Sequence, residues 1–149
     1  MAEQKAQQLN DARNSSATPS RPLAPNQRTH NWRSQRADPG SIWHHYRAML
    51  ALRNRLPSIA RGSYESPQVQ GMVYAFQRRH ENERTLVVLN YGKDPAAIRI
   101  DSLGADAKLV NEHPAGGAPS QADAQGSLLL ALAPQSLRVL RVLRTVAQP

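Results

Sequence analysis

Two adjacent histidines and a closely spaced pair of glutamates are the residues of this 149-residue chain whose types could support chemistry. His44 and His45 could ligate a metal ion, and Glu81 with Glu83 could act as general acid and base. Neighbouring side chains on a helix diverge by about 100°, however, so the two histidines do not face one ion. Glu81 and Glu83 lie in a polar connector of hairpin length, where water normally surrounds both carboxyls. We therefore predict no catalytic residue, no metal ligand and no cofactor-binding residue in the chain.

The remaining candidates are a glycine doublet and a group of arginines. Gly116 and Gly117 stand in a loop-like segment without the strand-to-helix context that a phosphate-binding loop requires. Arg78, Arg79 and Arg84 could contact phosphate groups, but few aromatic residues accompany them and no nucleic-acid-binding motif is present. The chain has no cysteine, which excludes disulfides and thiolate metal sites. We interpret these arginines as solvated surface.

The net charge of +8 is concentrated in the first part of the chain. Residues 1–61 contain ten Lys and Arg against three acidic residues, whereas residues 62–149 contain nine against eight. This asymmetry keeps one alternative open, a small basic nucleic-acid-binding protein that uses its arginine-rich N-terminal half. Binding of nucleic acid is the less favoured interpretation.

Residues 1–36 are predicted to be a disordered or displaced tail. Leu9, Leu23 and Trp32 are almost the only large apolar residues there, so the segment buries too little surface to offset its ordering entropy. The segment also lacks the apolar stretch of a signal peptide, and no run in the chain approaches the length of a membrane span. We therefore expect a cytoplasmic chain that does not cross a membrane.

An amphipathic helix is predicted over residues 37–57. Asp38 is a suitable N-cap, Pro39 suits the first helical position, and Pro57 marks the end. Large apolar residues recur between them at three- and four-residue steps, which is the period of a helix. These residues are Ile42, Tyr46, Met49, Leu50 and Leu56, with Trp43 and Leu52 beside them.

The part of the chain after Gly62 has the composition of short β-strands. Apolar, β-branched and aromatic runs alternate with polar turns at the spacing of an antiparallel sandwich. The runs are residues 72–76, 86–89, 97–100, 108–110, 128–132 and 137–143. The last run has a spacing near three that also fits a helix, but Pro134 and its two valines favour a strand. We predict a mainly β fold, an antiparallel β-sandwich over residues 62–144 that is preceded by one amphipathic α-helix.

The segment DPGSIWHHYRAMLALRNRLPSIARGSY resembles the last helix of the catalytic barrel in the alpha-amylase family of glycoside hydrolases (family 13). The matching positions are Asp38, Pro39, Ser41, Tyr46, Arg47, Leu52, Arg53, Pro57, Gly62 and Tyr64. Asn31 and Gln35 match the loop that feeds this helix. VYAFQRRHENERTLVVLNYG is similar to the first hairpin of that family's C-terminal β-sandwich, and LAPQSLRVLRV is similar to its last strand. The resemblance covers about residues 28 to 143.

This resemblance implies a non-catalytic C-terminal fragment of an alpha-glucan hydrolase or transglycosylase. Family members carry a catalytic Asp nucleophile, a Glu acid/base and a transition-state Asp on an eight-stranded α/β barrel, and this sequence contains none of those motifs. We therefore expect a chain that is inactive alone and supports a barrel that it does not contain. The helix face that would dock on such a barrel, or promote self-association, consists of Ile42, Trp43, Tyr46 and Leu50.

The resemblance implies two further roles. An alpha-glucan is a candidate ligand, because the parent family acts on alpha-glucans. A helper chain that docks through the helix on a separately encoded barrel is a third interpretation, beside the fragment and the nucleic-acid-binding protein.

Overall fold

The computed structural model of the protein describes Pro25 and residues 31–143. These residues fall into two units, one ending at His45 and the other beginning at Tyr46. Most of the predicted tail, residues 1–24 and 26–30, lies outside the described residues, so its disorder stays a prediction.

The first unit contains a short helix, α1 (Trp32–Ala37), within the segment that was predicted to be a tail. Asn31 caps this helix, because its side-chain oxygen accepts a hydrogen bond of 3.0 Å from the Ser34 amide. The Ser34 hydroxyl in turn donates to the Asn31 carbonyl oxygen over 2.9 Å. Residues 32–36, part of the predicted disordered or displaced tail, are thus helical, and the overlooked signal is Asn31 followed three residues later by Ser34, which donates both hydrogen bonds of the cap.

The long helix α2 spans Ile42–Arg55 and begins later than predicted. Asp38, the predicted N-cap, instead ends α1 and accepts a 2.9 Å hydrogen bond from the Gly40 amide. The first turn of α2 is capped by Gln35, whose side-chain oxygen accepts from the Trp43 amide over 3.2 Å. The cap therefore has two parts: the Ser41 hydroxyl accepts locally from the His44 amide over 3.5 Å, and Gln35 of the preceding helix adds a contact that the local spacing does not reveal.

Pro57 was predicted to end the long helix, but it opens a further helix, α3 (Pro57–Arg61). Leu56 separates the two helices with an extended backbone, at φ −109° and ψ 100°. Proline fits the first position of α3 because the amide that it lacks would have no helical partner there. The long helix therefore ends two residues before Pro57, close to its predicted end, whereas α3 after it was not predicted.

Eight strands follow, and every pairing between them is antiparallel. They are β1 (Ser63–Gln70), β2 (Val73–His80), β3 (Glu83–Asn90), β4 (Ala96–Ile100), β5 (Lys108–His113), β6 (Ser120–Gln121), β7 (Leu128–Leu132) and β8 (Ser136–Val142). Six of them form a sheet in the order β1-β2-β3-β8-β5-β6, and β4 pairs with β7 in a second sheet. The predicted mainly β sandwich is confirmed, including the assignment of the last run as a strand.

Two strands, β1 and β6, were not predicted from the sequence. β1 contains Pro67 and a shift of register between Glu65 and Gln68, and its residues are mostly polar. β6 is only two residues long. Neither therefore shows the alternation of apolar and polar residues by which the other strands were predicted.

The main core lies between the two sheets and is built from apolar side chains on their facing sides. The largest fully buried ones are Leu86, Ile98, Ile100, Leu103, Leu109 and Leu140. Each such side chain stabilises the fold by about 1.5–3 kcal/mol when it leaves water. This core is complete without any contribution from the helices.

A second apolar layer joins the helices to the outer face of the six-stranded sheet. Leu52 and Leu56 bury their side chains against Val87 of β3 and Val139 of β8. The partly buried residues around them are Met49, Ile59, Phe76, Leu89 and Leu137. The sandwich thus supplies the surface on which the end of α2 lies.

Hydrogen bonds between α3 and the six-stranded sheet also stabilise this contact between the helices and the sheet. The Ser58 hydroxyl is buried and lies 2.6 Å from the Thr85 hydroxyl of β3. The Ser58 amide donates to the Glu83 carboxylate over 2.7 Å, and the Arg78 guanidinium donates to the Ser58 carbonyl oxygen over 3.3 Å. Every polar group of Ser58 therefore has a partner on the sheet, as a buried polar residue requires.

We expect Leu52→Ala to lower the free energy of unfolding by about 2–4 kcal/mol, because it leaves a cavity between α2 and the sheet. The matched control is Leu50→Ala, two residues away on the same helix. Leu52 is 6% exposed and Leu50 is 55% exposed, so the control should cost less than about 0.5 kcal/mol. Urea unfolding followed by circular dichroism measures both, and equal losses would contradict the packing described here.

Candidate functional site

The candidate carboxyl pair lies at the tip of the β2–β3 hairpin, as the sequence predicted. The Glu81 side chain is 82% exposed, and the Glu83 carboxylate accepts the hydrogen bond from the Ser58 amide. Depressions of about 360 and 500 Å³ flank this tip, and Glu81 and Glu83 are the acidic residues that line them among the described residues. Neither depression therefore places a carboxyl in the water-free setting that a general acid needs.

The histidine pair belongs to the first unit. A ring nitrogen of His44 lies 3.1 Å from the Arg36 carbonyl oxygen, and its ring meets the edge of Trp43 with centroids 4.6 Å apart. In the part of the chain that the structure describes, no group of three His, Asp or Glu side chains is placed to hold a metal ion. His44 therefore makes local contacts that explain its position.

The arginines that could have contacted phosphate groups are held by the chain itself. Arg78 donates to the Ser58 carbonyl oxygen, and Arg79 forms a 3.0 Å ion pair with Glu65 across the β1–β2 hairpin. Arg84 donates to main-chain carbonyl oxygens in the loop that follows β4. These contacts tie strands and loops together, so the three side chains do not form a free cationic patch.

One carboxylate in the described residues is buried, and it lies between two arginines. Glu112 of β5 is only 6% exposed in its side chain. Arg141 of β8 donates to one of its oxygens, with Nε and Oε1 2.7 Å apart, and Arg55 at the end of α2 donates to the other. We call these three residues the ion triad. Because they come from α2, β5 and β8, the ion triad fastens the helix to the sheet.

The electrostatics of the ion triad exclude a role as a proton donor near neutral pH. Burial alone would raise the pKa of Glu112, but the hydrogen bonds and charges of Arg141 and Arg55 outweigh it. The pKa therefore lies below its ordinary value of 4.5. A catalytic acid needs the opposite shift, and a glycosidase also needs a second carboxyl across the reacting bond. Glu112 is thus an ionised structural anchor.

An apolar row crosses four strands on the outer face of the six-stranded sheet, and it is covered only in part, because Leu89 and Leu137 also pack against the layer formed by Leu52 and Leu56. Val69 of β1 lies opposite Tyr74 of β2, Tyr74 opposite Leu89 of β3, and Leu89 opposite Leu137 of β8. Val69 is exposed and the other three are half-buried. Side chains directly opposite each other on one face are in contact, so the row is continuous.

The helix adds a second exposed strip on the same side of the sheet. Tyr46 and Leu50 are exposed and stand four residues apart on α2, with half-buried Met49 beside them. We call the row and this strip together the outer apolar surface. Of the predicted docking face, Tyr46 and Leu50 belong to it, whereas Ile42 and Trp43 belong to the first unit, in which Ile42 is exposed and Trp43 half-buried.

Three aromatic rings extend the outer apolar surface towards the β1 edge. Phe76 lies between Tyr64 and Tyr74, with centroid distances of 5.1 and 5.6 Å. The two tyrosine hydroxyls are hydrogen-bonded to each other, which raises the pKa of Tyr64. The rings are tilted by 38° and 39° to Phe76, so they do not present one flat face for a sugar ring.

The sequence did not reveal the row or the ion triad. The residues of the row come from four strands that only the register brings together, and each looks alone like an ordinary strand residue. Glu112 stands 57 residues from Arg55 and 29 from Arg141 in the chain. No local signal marks Glu112, because β5 reads Lys-Leu-Val-Asn-Glu-His and contains three other polar residues.

Comparison with known proteins finds sequence relatives of this chain among carbohydrate-active enzymes. No protein-family model matches it. It is 34% identical over 92 residues to the probable alpha-glucosidase of Rhizobium meliloti, a match of 62% of this chain and 17% of that protein. It is 32% identical over 91 residues to the trehalose-6-phosphate hydrolase of Bacillus subtilis, covering 60% of this chain and 16% of the relative. The chain thus spans less than a fifth of the length of these relatives.

Solved structures of other proteins superpose on this chain and share its fold. The alpha-amylase of Geobacillus thermoleovorans superposes with a TM-score of 0.65 at 19% identity, over 73% of this chain and 24% of that structure. The isomaltulose synthase of Klebsiella sp. LX3 superposes with a TM-score of 0.66 at 25% identity, over 86% of this chain and 22% of that structure. The described residues include no helix that is long and apolar enough to cross a membrane.

We expect Glu112→Gln to lower the free energy of unfolding by about 1–2 kcal/mol near neutral pH, since it removes the charge that both arginines bind. The folded-state pKa of Glu112 is below the unfolded one, so its contribution is complete above pH 4.5. That contribution disappears as the pH falls through the folded-state pKa. The difference between wild type and variant should therefore shrink below pH 4.5.

Glu81→Gln serves as the control for the ion triad, because it removes a carboxylate of the same type from an exposed turn. Its unfolding free energy should stay within about 0.5 kcal/mol of wild type. Chemical unfolding of both variants at several pH values gives the comparison. A loss for Glu112→Gln that does not change with pH would contradict the electrostatic role of Glu112.

Proposed function

Because this chain is a relative of the C-terminal region of the alpha-amylase family of glycoside hydrolases, we propose that it is a non-catalytic module that supports a catalytic α/β barrel domain. Its partner would be the domain that makes up most of the relatives' length. The observation that carries the proposal is the outer apolar surface, whose residues are exposed or only half-buried.

The absence of catalysis is supported by the state of the carboxyls in the described residues. The one buried carboxylate, Glu112, is ionised and has both oxygens occupied by arginines. Glu83 is held by a main-chain amide, and Glu81 is in water. Retaining and inverting glycosidases both need two carboxyls facing one sugar bond, with one of them protonated. Asp101 and Asp123 share Arg99 and Ser127 as partners, and the hydrogen bond from the Ser127 hydroxyl lowers the pKa of Asp101, which disfavours a protonated acid there.

Docking on a barrel domain is supported by the energetics of the outer apolar surface. Burying a leucine, valine or tyrosine side chain contributes about 1.5–3 kcal/mol, so half-covered residues still gain from a partner. Val69, Tyr74, Tyr46 and Leu50 carry no charge, and they lie on the side of the sheet that the helices already occupy. A contiguous apolar surface of this kind marks an interface rather than a solvated face.

The chemistry of the partner follows from the relatives. Their names describe an alpha-glucosidase, a trehalose-6-phosphate hydrolase and an oligo-1,6-glucosidase. The barrel that this module supports would accordingly act on alpha-linked glucose units, and an alpha-glucan would meet the module only next to that barrel. The alternative of nucleic-acid binding has no support from Arg78, Arg79 and Arg84, because these side chains bind the chain itself.

We expect the purified chain to hydrolyse neither maltotriose, isomaltose nor p-nitrophenyl alpha-glucoside. The physical reason is the missing pair of carboxyls at a sugar-sized site. Release of glucose or nitrophenol is measured against a heat-inactivated sample. Turnover above that background that is lost in Glu81→Gln or Glu83→Gln would overturn the proposal.

We expect the chain to bind a barrel domain of a relative from which the matching region has been deleted, such as the alpha-glucosidase of Rhizobium meliloti. Co-expression should recover soluble barrel, and Leu50→Lys should weaken binding by about tenfold or more because a charge then faces an apolar partner. Leu129→Lys, on the other sheet, is the control and should bind like wild type. Co-purification and calorimetry measure this, and a wild-type chain that recovers no barrel contradicts the proposal.

A further inference from the structure

The second sheet has only two strands, and each of them has one edge without a neighbour among the described residues. β4 pairs with β7 through all five residues of each strand, from Ala96 opposite Leu132 to Ile100 opposite Leu128. Within the described residues, β7 has no neighbour on its other side. In an antiparallel pair only every second residue turns its peptide groups towards the partner strand. The remaining amide and carbonyl groups of β7 therefore point to the open edge.

The open edge of β7 lacks the features that usually prevent strand pairing. Such features are charges, prolines and bulges. The edge strand β1 has Glu65, Pro67 and a register shift, and the edge strand β4 has the exposed Arg99. β7 reads Leu-Leu-Leu-Ala-Leu and has none of them. Among the edge strands of the described residues, β6 is only two residues long, so β7 is the longer edge that carries none of these features.

The outer side of β7 is also unusually apolar. Leu129 is 72% exposed, and Ala131, the next residue on that side, is exposed as well. The inward-facing Leu130 and Leu132 are buried in the core. A large and a small apolar residue therefore stand side by side on the solvent face of the strand.

We propose that β7 pairs with β7 of a second copy of this chain, so that two two-stranded sheets join into one of four strands. Residues opposite each other in an antiparallel pair point to the same face, and the pairing that uses all five residues is centred on Leu130. This register places Leu129 of one copy opposite Ala131 of the other, twice. The large residue then covers the small one, and no charge is brought to the two-fold axis.

The expected dimer is weak. A pair of five-residue strands with two leucine–alanine contacts buries much less than the roughly 1,600 Å² of a standard interface. Association should therefore depend on protein concentration. The dimer would form through the open edge of β7, whereas a barrel domain would bind the outer apolar surface. An experiment can therefore contradict one proposal without contradicting the other.

Sedimentation velocity over a series of concentrations tests this inference with the full chain. The wild type should shift from monomer to dimer as concentration rises, and Leu129→Lys should weaken the dimer by about tenfold or more. Val69→Lys is the matched control, because Val69 is 71% exposed but lies on the other sheet. It should dimerise like wild type. Circular dichroism establishes that each variant is folded, and Ala131→Glu is a second edge variant with the same expected effect.

Hydrogen exchange supplies an independent readout. The amides of residues 128–132 that point to the open edge should become more protected at high concentration, whereas those of β1 should not change. A wild type that stays monomeric at every concentration overturns the inference. So does association that Val69→Lys or Leu50→Lys abolishes while Leu129→Lys and Ala131→Glu leave it intact, because the dimer would then form through the outer apolar surface.

Discussion

The burial of Leu52 and Leu56 against the six-stranded sheet is the contact on which the arrangement of this protein depends. It fixes where α2 ends, and so it places Arg55 within reach of Glu112. It also brings the first turn of α3 onto β3, where Ser58 finds its hydrogen-bond partners. The apolar contact provides most of the free energy, whereas the ionic and polar contacts at its rim fix direction and register.

Much of the fold was predictable because its signals are local. The apolar runs of β2, β3, β7 and β8 and the polar turn at residues 80–83 predict strands and a hairpin from adjacent residues alone. The helix boundaries were less predictable, because Gln35 on another helix joins Ser41 in capping α2, and Asp38, the predicted N-cap, instead ends α1. β1 was missed because an edge strand protected by polar residues and proline has no apolar alternation.

The same distinction between local and long-range signals applies to the candidate site. The sequence predicted that Glu81 and Glu83 lie in a solvated turn. Glu81 is exposed there, but Glu83 is the first residue of β3, is half-buried, and binds the Ser58 amide of α3, a contact that the hairpin residues alone do not indicate. The role of Glu112 depends on arginines from a helix and a distant strand, so no spacing in the sequence indicates it. The apolar row likewise exists only once the register of four strands is known, because single exposed valines and half-buried leucines are common.

The boundary between the two units falls inside α2, before Tyr46, rather than at the start of β1. This position limits how such modules can be exchanged between enzymes by recombination. If the chain were joined to another protein at Ser63, Val87 and Val139 would lose Leu52 and Leu56, which cover them. A helix of the other protein would then have to pack against these two side chains. If the chain is instead joined upstream of Tyr46, the sheet is transferred together with Leu52 and Leu56. Val87 and Val139 then keep the side chains that cover them.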